Sequence, residues 1–106
     1  MDFKIKNLGA NIVNIARQIG YVIIDTRPNG EYNLVRRLTG INYPRFHIYL
    51  KAASAKASAS QGNFDYIFSL HLDQKKPVYQ GAHAHSGEYF GPMIDGESDR
   101  IKSILQ

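Results

Sequence analysis

Residues 64–91, FDYIFSLHLDQKKPVYQGAHAHSGEYFG, join the strongest strand pattern of the chain to its densest group of chemically able side chains, including three of its four histidines. The first ten residues alternate between two faces, which is typical of a β-strand with one buried side. The odd-numbered face carries His71 and Asp73. The apolar face carries Phe64, Tyr66, Phe68, Leu70 and Leu72. This stretch therefore predicts a central strand and, beside it, a candidate functional site.

A second alternating segment, residues 45–51 (RFHIYLK), precedes it with its apolar residues at the even-numbered positions. If the two segments pair as antiparallel strands across the intervening loop, their faces must match. We therefore expect Arg45, His47 and Tyr49 to lie on the same side of the sheet as His71 and Asp73.

The N-terminal part of the chain shows helical periodicity and then a hairpin. We predict a helix with Asn7 as its N-cap and Gly20 as its C-terminal stop. Its apolar stripe is Leu8, Ile12, Ile15, Ala16 and Ile19. Strands at 21–25 and 31–38 follow, joined by a turn at residues 28–30. Arg36 interrupts the apolar face of the second of these strands, which suggests a position near the sheet edge, where its charged end reaches water.

These elements predict a two-layer α+β fold in the order α-β-β-β-β-α, with an antiparallel sheet of about four strands in meander order. An N-terminal helix and a short C-terminal helix, residues 95–106 with Ile101, Ile104 and Leu105 as its buried stripe, cover one side. A chain of 106 residues suits one domain. Residues 52–63 are predicted to be a mobile Ala/Ser-rich hairpin loop, and residues 74–94 a long, partly packed loop.

Composition narrows the possible functions. The net charge of +4 is concentrated in residues 1–60, which carry nine Lys/Arg against three acids. The absence of cysteine excludes disulfides and thiolate sites, so any metal would depend on histidine and carboxylate. No apolar run is long enough to span a bilayer and no signal-peptide pattern is present, so we predict a cytoplasmic protein without a membrane partner.

The leading hypothesis is that this small basic protein binds an anionic partner, most plausibly nucleic acid, through the exposed sheet face and the 74–91 loop. Arginine and lysine neutralise phosphates, and tyrosine rings stack on unpaired bases. The expected contacts on the sheet are Arg36, Arg37, Arg45, His47, Tyr49 and Lys51, and those from the loop are Lys75, Lys76, Tyr79 and Tyr89.

The alternative is a metal-dependent hydrolase or nuclease that uses a divalent ion. Its expected ligands are His71, Asp73, His83 and His85, with His47 across the sheet. Such a site can activate water at neutral pH. In a nuclease variant of this hypothesis Asp73 and Lys75 form a D-x-K pair, which makes His71, Asp73, Lys75 and His85 the catalytic candidates.

A further alternative is a structural or oligomerisation module, in which a second subunit covers the same sheet face and the protein is a homo-oligomer. The sequence does not select among the three, nor between RNA and DNA as the anionic partner.

Overall fold

The structure, a computed structural model, describes residues 1–53, 63–74, 87–88 and 90–106. Two helices and an antiparallel sheet confirm the predicted α+β class. The elements in chain order are β1 (Asp2–Leu8), α1 (Ile12–Ile19), β2 (Val22–Thr26), β3 (Tyr32–Arg37), β4 (Arg45–Ala52), β5 (Phe64–Asp73), β6 (Gly87–Glu88) and α2 (Pro92–Leu105).

Five strands form the body of the sheet in the order β1-β5-β4-β3-β2, and the two-residue strand β6 pairs with the end of β5. Strands β2 to β5 form the predicted meander, since each pairs antiparallel with the next. Strand β5 has the predicted bounds, and β4 is one residue longer than predicted. The expected total of about four strands was too low, because β1 adds a strand at the free edge of β5.

The predicted start of the first helix was also wrong. Leu8 belongs to β1, and α1 begins only at Ile12, where the Asn11 side chain accepts a hydrogen bond from the Asn14 backbone N–H. The N-terminal residues form a strand because Phe3 and Ile5 alternate with lysines and pair with the edge of β5, and this leaves Ile5 fully buried. Strand pairing thus overrides the helical spacing of Leu8.

The core lies between one face of the sheet and the two helices. Ile15 and Ile19 of α1 and Ile94 and Ile101 of α2 are fully buried against the even-numbered residues of β4 and β5. Helix α2 starts at Pro92 rather than at residue 95, consistent with the preference for proline in the first helical turn. Ile104, predicted to be buried, is 42% exposed. Neither helix in the described part of the chain is long and apolar enough to cross a membrane.

The two predicted loops lie largely outside the described residues, which omit 54–62, 75–86 and 89. Within the range predicted as a long loop, Gly87–Glu88 forms β6 and the chain from Pro92 onward belongs to α2.

A buried carboxylate ties α2 to the rest of the domain. Glu97 is 5% exposed, and its Oε2 accepts a 2.6 Å hydrogen bond from the Tyr21 hydroxyl. Arg100 donates from Nε to Oε1 at 2.8 Å and from Nη2 to Oε2 at 2.9 Å, and also from Nη2 to the backbone oxygen of Ile19. The charge of Glu97 is therefore paired and hydrogen-bonded, as a buried carboxylate requires.

Arg36 also faces this carboxylate. The pairing of β3 with β2 ends at Val35, and Arg36, opposite Phe46 on β4, projects from the core face of β3. Its Nη1 is 3.8 Å from Glu97 Oε1, and its guanidinium lies 5.8 Å from the centre of the Phe46 ring. Arg36 therefore belongs to the helix side of the sheet and not to the predicted binding surface.

Replacing Tyr21 by phenylalanine is expected to lower the free energy of unfolding by about 2 kcal/mol at neutral pH, since a buried acceptor loses its donor. Burial raises the pKa of Tyr21, and the hydrogen bond to Glu97 and its negative charge raise it further. A pKa above the unfolded value of about 10 means that this contribution is complete below pH 10 and decreases by about 1.4 kcal/mol per pH unit above it. Urea unfolding of both proteins from about pH 8 to about pH 11 measures this difference. A difference that stays constant over that range would contradict the prediction.

Candidate functional site

The register of β4 and β5 brings the predicted site residues of both strands together. Arg45 lies opposite Asp73, His47 opposite His71, and Tyr49 opposite Ser69. All of them lie on the face of the sheet opposite α1 and α2, which we call the site face. The shared face is the one predicted from the two alternating segments, and the register is supplied by the structure.

Asp73 is the centre of a hydrogen-bonded cluster on the site face. Its Oδ2 lies 3.1 Å from His47 Nδ1 and accepts a 3.2 Å hydrogen bond from Arg45 Nε. Its Oδ1 lies 2.9 Å from His71 Nε2. Both oxygens of one carboxylate therefore hold side chains from two neighbouring strands.

The ionised form of Asp73 is strongly favoured. Burial alone would raise its pKa, but hydrogen bonds from His47 and His71, together with the charges of those rings, outweigh burial and hold the pKa of Asp73 well below its usual range. The carboxylate is therefore negatively charged at neutral pH and can pair with cations.

The two histidines are not on an exposed surface, which corrects the expectation of an exposed sheet face at this point. His47 is 8% exposed and His71 is 7% exposed. The ring centres of His47 and His71 are 4.7 Å apart, and the Tyr49 ring lies 4.7 Å from the first and 5.6 Å from the second. Tyr49, predicted to stack on a base, thus packs against both histidines.

Asn33 is a member of the cluster that the sequence did not reveal. It is buried on β3, and its Oδ1 lies 3.0 Å from His47 Nε2. Both ring nitrogens of His47 therefore face oxygen atoms, one from Asn33 and one from Asp73. No local sequence signal marked Asn33, because its burial, and with it the need of its amide for a partner, arises from contacts between strands.

Three of the side chains in the cluster have the chemistry and the proximity of metal ligands. One donor atom from each of His47, His71 and Asp73 lies within 4.8 Å of the others. This set differs from the expected one: His47 takes part directly, while the predicted ligands His83 and His85 lie outside the described residues. Two imidazoles and one carboxylate form a ligand set suited to zinc and other transition ions.

The remaining predicted contacts fall into three groups. Arg37 and Lys51 are exposed, and their register positions place them on the site face. Arg45 is half-buried, paired with Asp73 and positioned 4.6 Å from the centre of the Tyr43 ring. Outside the described residues lie Lys75, Lys76, Tyr79 and Tyr89.

Comparison of the chain with protein-family models, with curated proteins and with solved structures gave no match. The fold and the site define an α+β protein with a cluster of two histidines and one carboxylate on the sheet face away from its helices. Function must therefore be argued from the geometry of the site.

Proposed function

We propose that this protein is a metal-dependent hydrolase in which His47, His71 and Asp73 bind a divalent transition ion. The observation that supports the proposal is the convergence of two imidazoles on one ionised carboxylate. Imidazole nitrogen favours zinc, iron, nickel or copper over magnesium and calcium, which prefer oxygen ligands. Zinc is therefore the ion of choice for a first test.

The distances in the cluster suit such an ion. Bonds of about 2.0 to 2.1 Å to a tetrahedral zinc place neighbouring ligand atoms about 3.3 Å apart. The contacts from Asp73 to His47 Nδ1 and His71 Nε2 are 3.1 and 2.9 Å. These two contacts use different oxygens of Asp73, and the three donor atoms lie within 4.8 Å of one another. An ion bound here would draw them closer and replace the protons between the rings and the carboxylate.

The surrounding side chains also support the proposal. Metal-bound histidines usually donate from their second nitrogen to an oxygen that fixes the ring. Asn33 Oδ1 is in position to accept from His47 Nε2, which leaves Nδ1 for the ion. Arg45 holds the Asp73 carboxylate at Oδ2 and so restricts its orientation.

The chemistry follows from the ion that these ligands would hold. A zinc ion held by His47, His71 and Asp73 would supply the Lewis acidity that activates water as a nucleophile at neutral pH. Because both histidines are buried, the site also limits the access of bulk water that would compete with a substrate for the ion. Hydrolysis is therefore the reaction class that this arrangement supports best.

Zinc is expected to stabilise the protein by about 10 °C in melting temperature when its free concentration is about 100 times the dissociation constant. His47→Ala and His71→Ala should each remove most of this increase, because each deletes a ligand. Asp2→Asn is the matched control, since Asp2 is an exposed acid on the site face, opposite Ser69. Differential scanning calorimetry with zinc and with EDTA measures the effect.

Three further measurements separate ligand loss from misfolding and metal binding from catalysis. Circular dichroism of each variant in EDTA shows whether it folds, and the visible spectrum of the Co²⁺ form reports a tetrahedral site directly. Turnover of 4-nitrophenyl acetate by the zinc-loaded protein, above that of zinc alone, tests hydrolysis. If zinc leaves the melting temperature of the folded wild-type protein unchanged, the proposed function is refuted.

A further inference from the structure

Positive side chains lie on the site face at both ends of the proposed metal centre. At one end Arg37 and Arg45 are direct cross-strand partners. At the other end Lys4 and Lys51 lie on either side of Ile67, which is the register partner of both. Like charges so arranged repel each other unless an anion lies between or above them. The pairing of Asp73 with Arg45 compensates only part of this charge.

The spacing of these cations indicates a polymer of anionic groups. Arg45 and Lys51 are six residues apart on β4, or about 20 Å, while His47 is about 7 Å from Arg45 and about 13 Å from Lys51. We call the row of cations from Arg45 to Lys51 the cationic track. Its length of about 20 Å approaches that of the shortest single-strand binding sites, about four nucleotides. The proposed ion then lies within the track rather than at its end.

The acids on the site face limit where this track runs. Asp2 and Asp65 lie on the β1 and β5 side, near Lys4. Asp25 lies on β2 opposite Asn33, where it pairs with Arg27. The excess of positive charge therefore follows β4 from Arg45 to Lys51, with Arg37 beside its first residue.

We infer, on the basis of the proposed metal centre, that its substrate is a phosphodiester of single-stranded nucleic acid whose backbone follows β4. Guanidinium groups match phosphate geometry, and the partly exposed Tyr49 beside the histidines offers an aromatic surface to an unpaired base. The low exposure of His47 and His71 favours a flexible single strand, because a rigid duplex brings its phosphates less easily into a sheltered site.

The reaction would be an ordinary hydrolysis. The water oxygen forms a bond to phosphorus, and the bond from phosphorus to one sugar oxygen breaks. The leaving sugar oxygen takes up a proton equivalent to the one that the water released, so a phosphomonoester and an alcohol result and no oxidant or reductant is needed.

Binding can be tested without the metal by fluorescence anisotropy in EDTA, with labelled single-stranded RNA and DNA of about 12 nucleotides. Between about 50 and 200 mM salt, the slope of log affinity against log salt should fall in magnitude by about 0.7 for each phosphate contact removed. Arg37→Ala and Lys51→Ala should each show this loss. Arg17→Ala is the charge-matched control, since Arg17 is exposed on α1, away from the site face.

Cleavage of the same strands by the zinc-loaded protein, followed on denaturing gels, tests the assignment of the substrate. Cleavage that requires zinc and is weakened by Arg37→Ala supports it. Equal loss of binding in Arg17→Ala and Arg37→Ala would overturn it, because net charge alone would then explain the affinity. If the protein binds zinc but does not cleave the strands, the assignment of the substrate is wrong and the metal centre is unaffected. If the protein binds the strands but not zinc, the metal centre is refuted, and the assignment of the substrate with it.

Discussion

Replacement of Glu97 by alanine is expected to lower the free energy of unfolding by about 4 kcal/mol, because it removes a buried charge from a fully paired network. The Tyr21 hydroxyl and the Arg100 guanidinium would lose their shared acceptor, and Arg36 would lose the carboxylate that lies 3.8 Å from its Nη1. The two arginines would then repel each other without compensation.

Urea unfolding at neutral pH measures this loss, and two further variants are measured for comparison. Glu97→Gln keeps the side-chain volume and one acceptor oxygen but presents an amide N–H to the arginine donors, so we expect a loss of about 3 kcal/mol. Asp99→Ala removes an exposed acid from the same helix and should cost less than about 0.5 kcal/mol. If Glu97→Ala costs no more than Asp99→Ala, the network does not stabilise the fold.

The strands around the site were predictable because the alternation of apolar and polar residues within each strand is enough to identify it. Strands β4 and β5 each alternate over at least seven residues, and antiparallel pairing across one loop is enough to place His47 and His71 on the same face of the sheet. An error of one residue in the register would have moved the apolar residues of β5 to the wrong face, so the pattern fixes which residues share a face. A shift by two residues keeps the faces, so the exact partners come from the structure.

Strand β1 could not be inferred in the same way, because its partner is distant in the sequence. Phe3 and Ile5 offer only a short alternation, and they form a strand because Phe68 and Tyr66, more than 60 residues away, present a free edge. Leu8 fits both a helical stripe and the end of a strand. Only the pairing decides between the two.

The buried polar groups were unpredictable for a related reason. Glu97 appears in the sequence as one of several acids near the start of a terminal helix, and its partner Tyr21 is 76 residues away. Asn33 and the low exposure of His47 likewise depend on contacts between strands and not on any local pattern. Sequence identified the residue types of the site, while the structure determined which of them touch.

Asp73→Asn should have the largest effect on the site, with a loss of about 3 kcal/mol in the free energy of unfolding and the loss of stabilisation by zinc. Asp73 uses both oxygens to hold His47, His71 and Arg45. Asparagine keeps one oxygen and turns an amide N–H toward donors, which leaves a cluster with buried members poorly satisfied. Deletion of a ligand should also weaken zinc binding by more than the roughly 10- to 100-fold typical of residues that only support ligands.

Affinity for a single strand in EDTA should change in the opposite direction in this variant, since Asp73→Asn removes the one carboxylate that pairs with Arg45 among the described residues. We expect tighter binding of the labelled strand, a steeper salt dependence and no cleavage, each compared with Asp2→Asn. Tighter binding combined with lost cleavage would show that Asp73 serves the metal and not the nucleic acid. Unchanged zinc stabilisation in folded Asp73→Asn would contradict the assignment of Asp73 as a ligand, whatever the effect on strand binding.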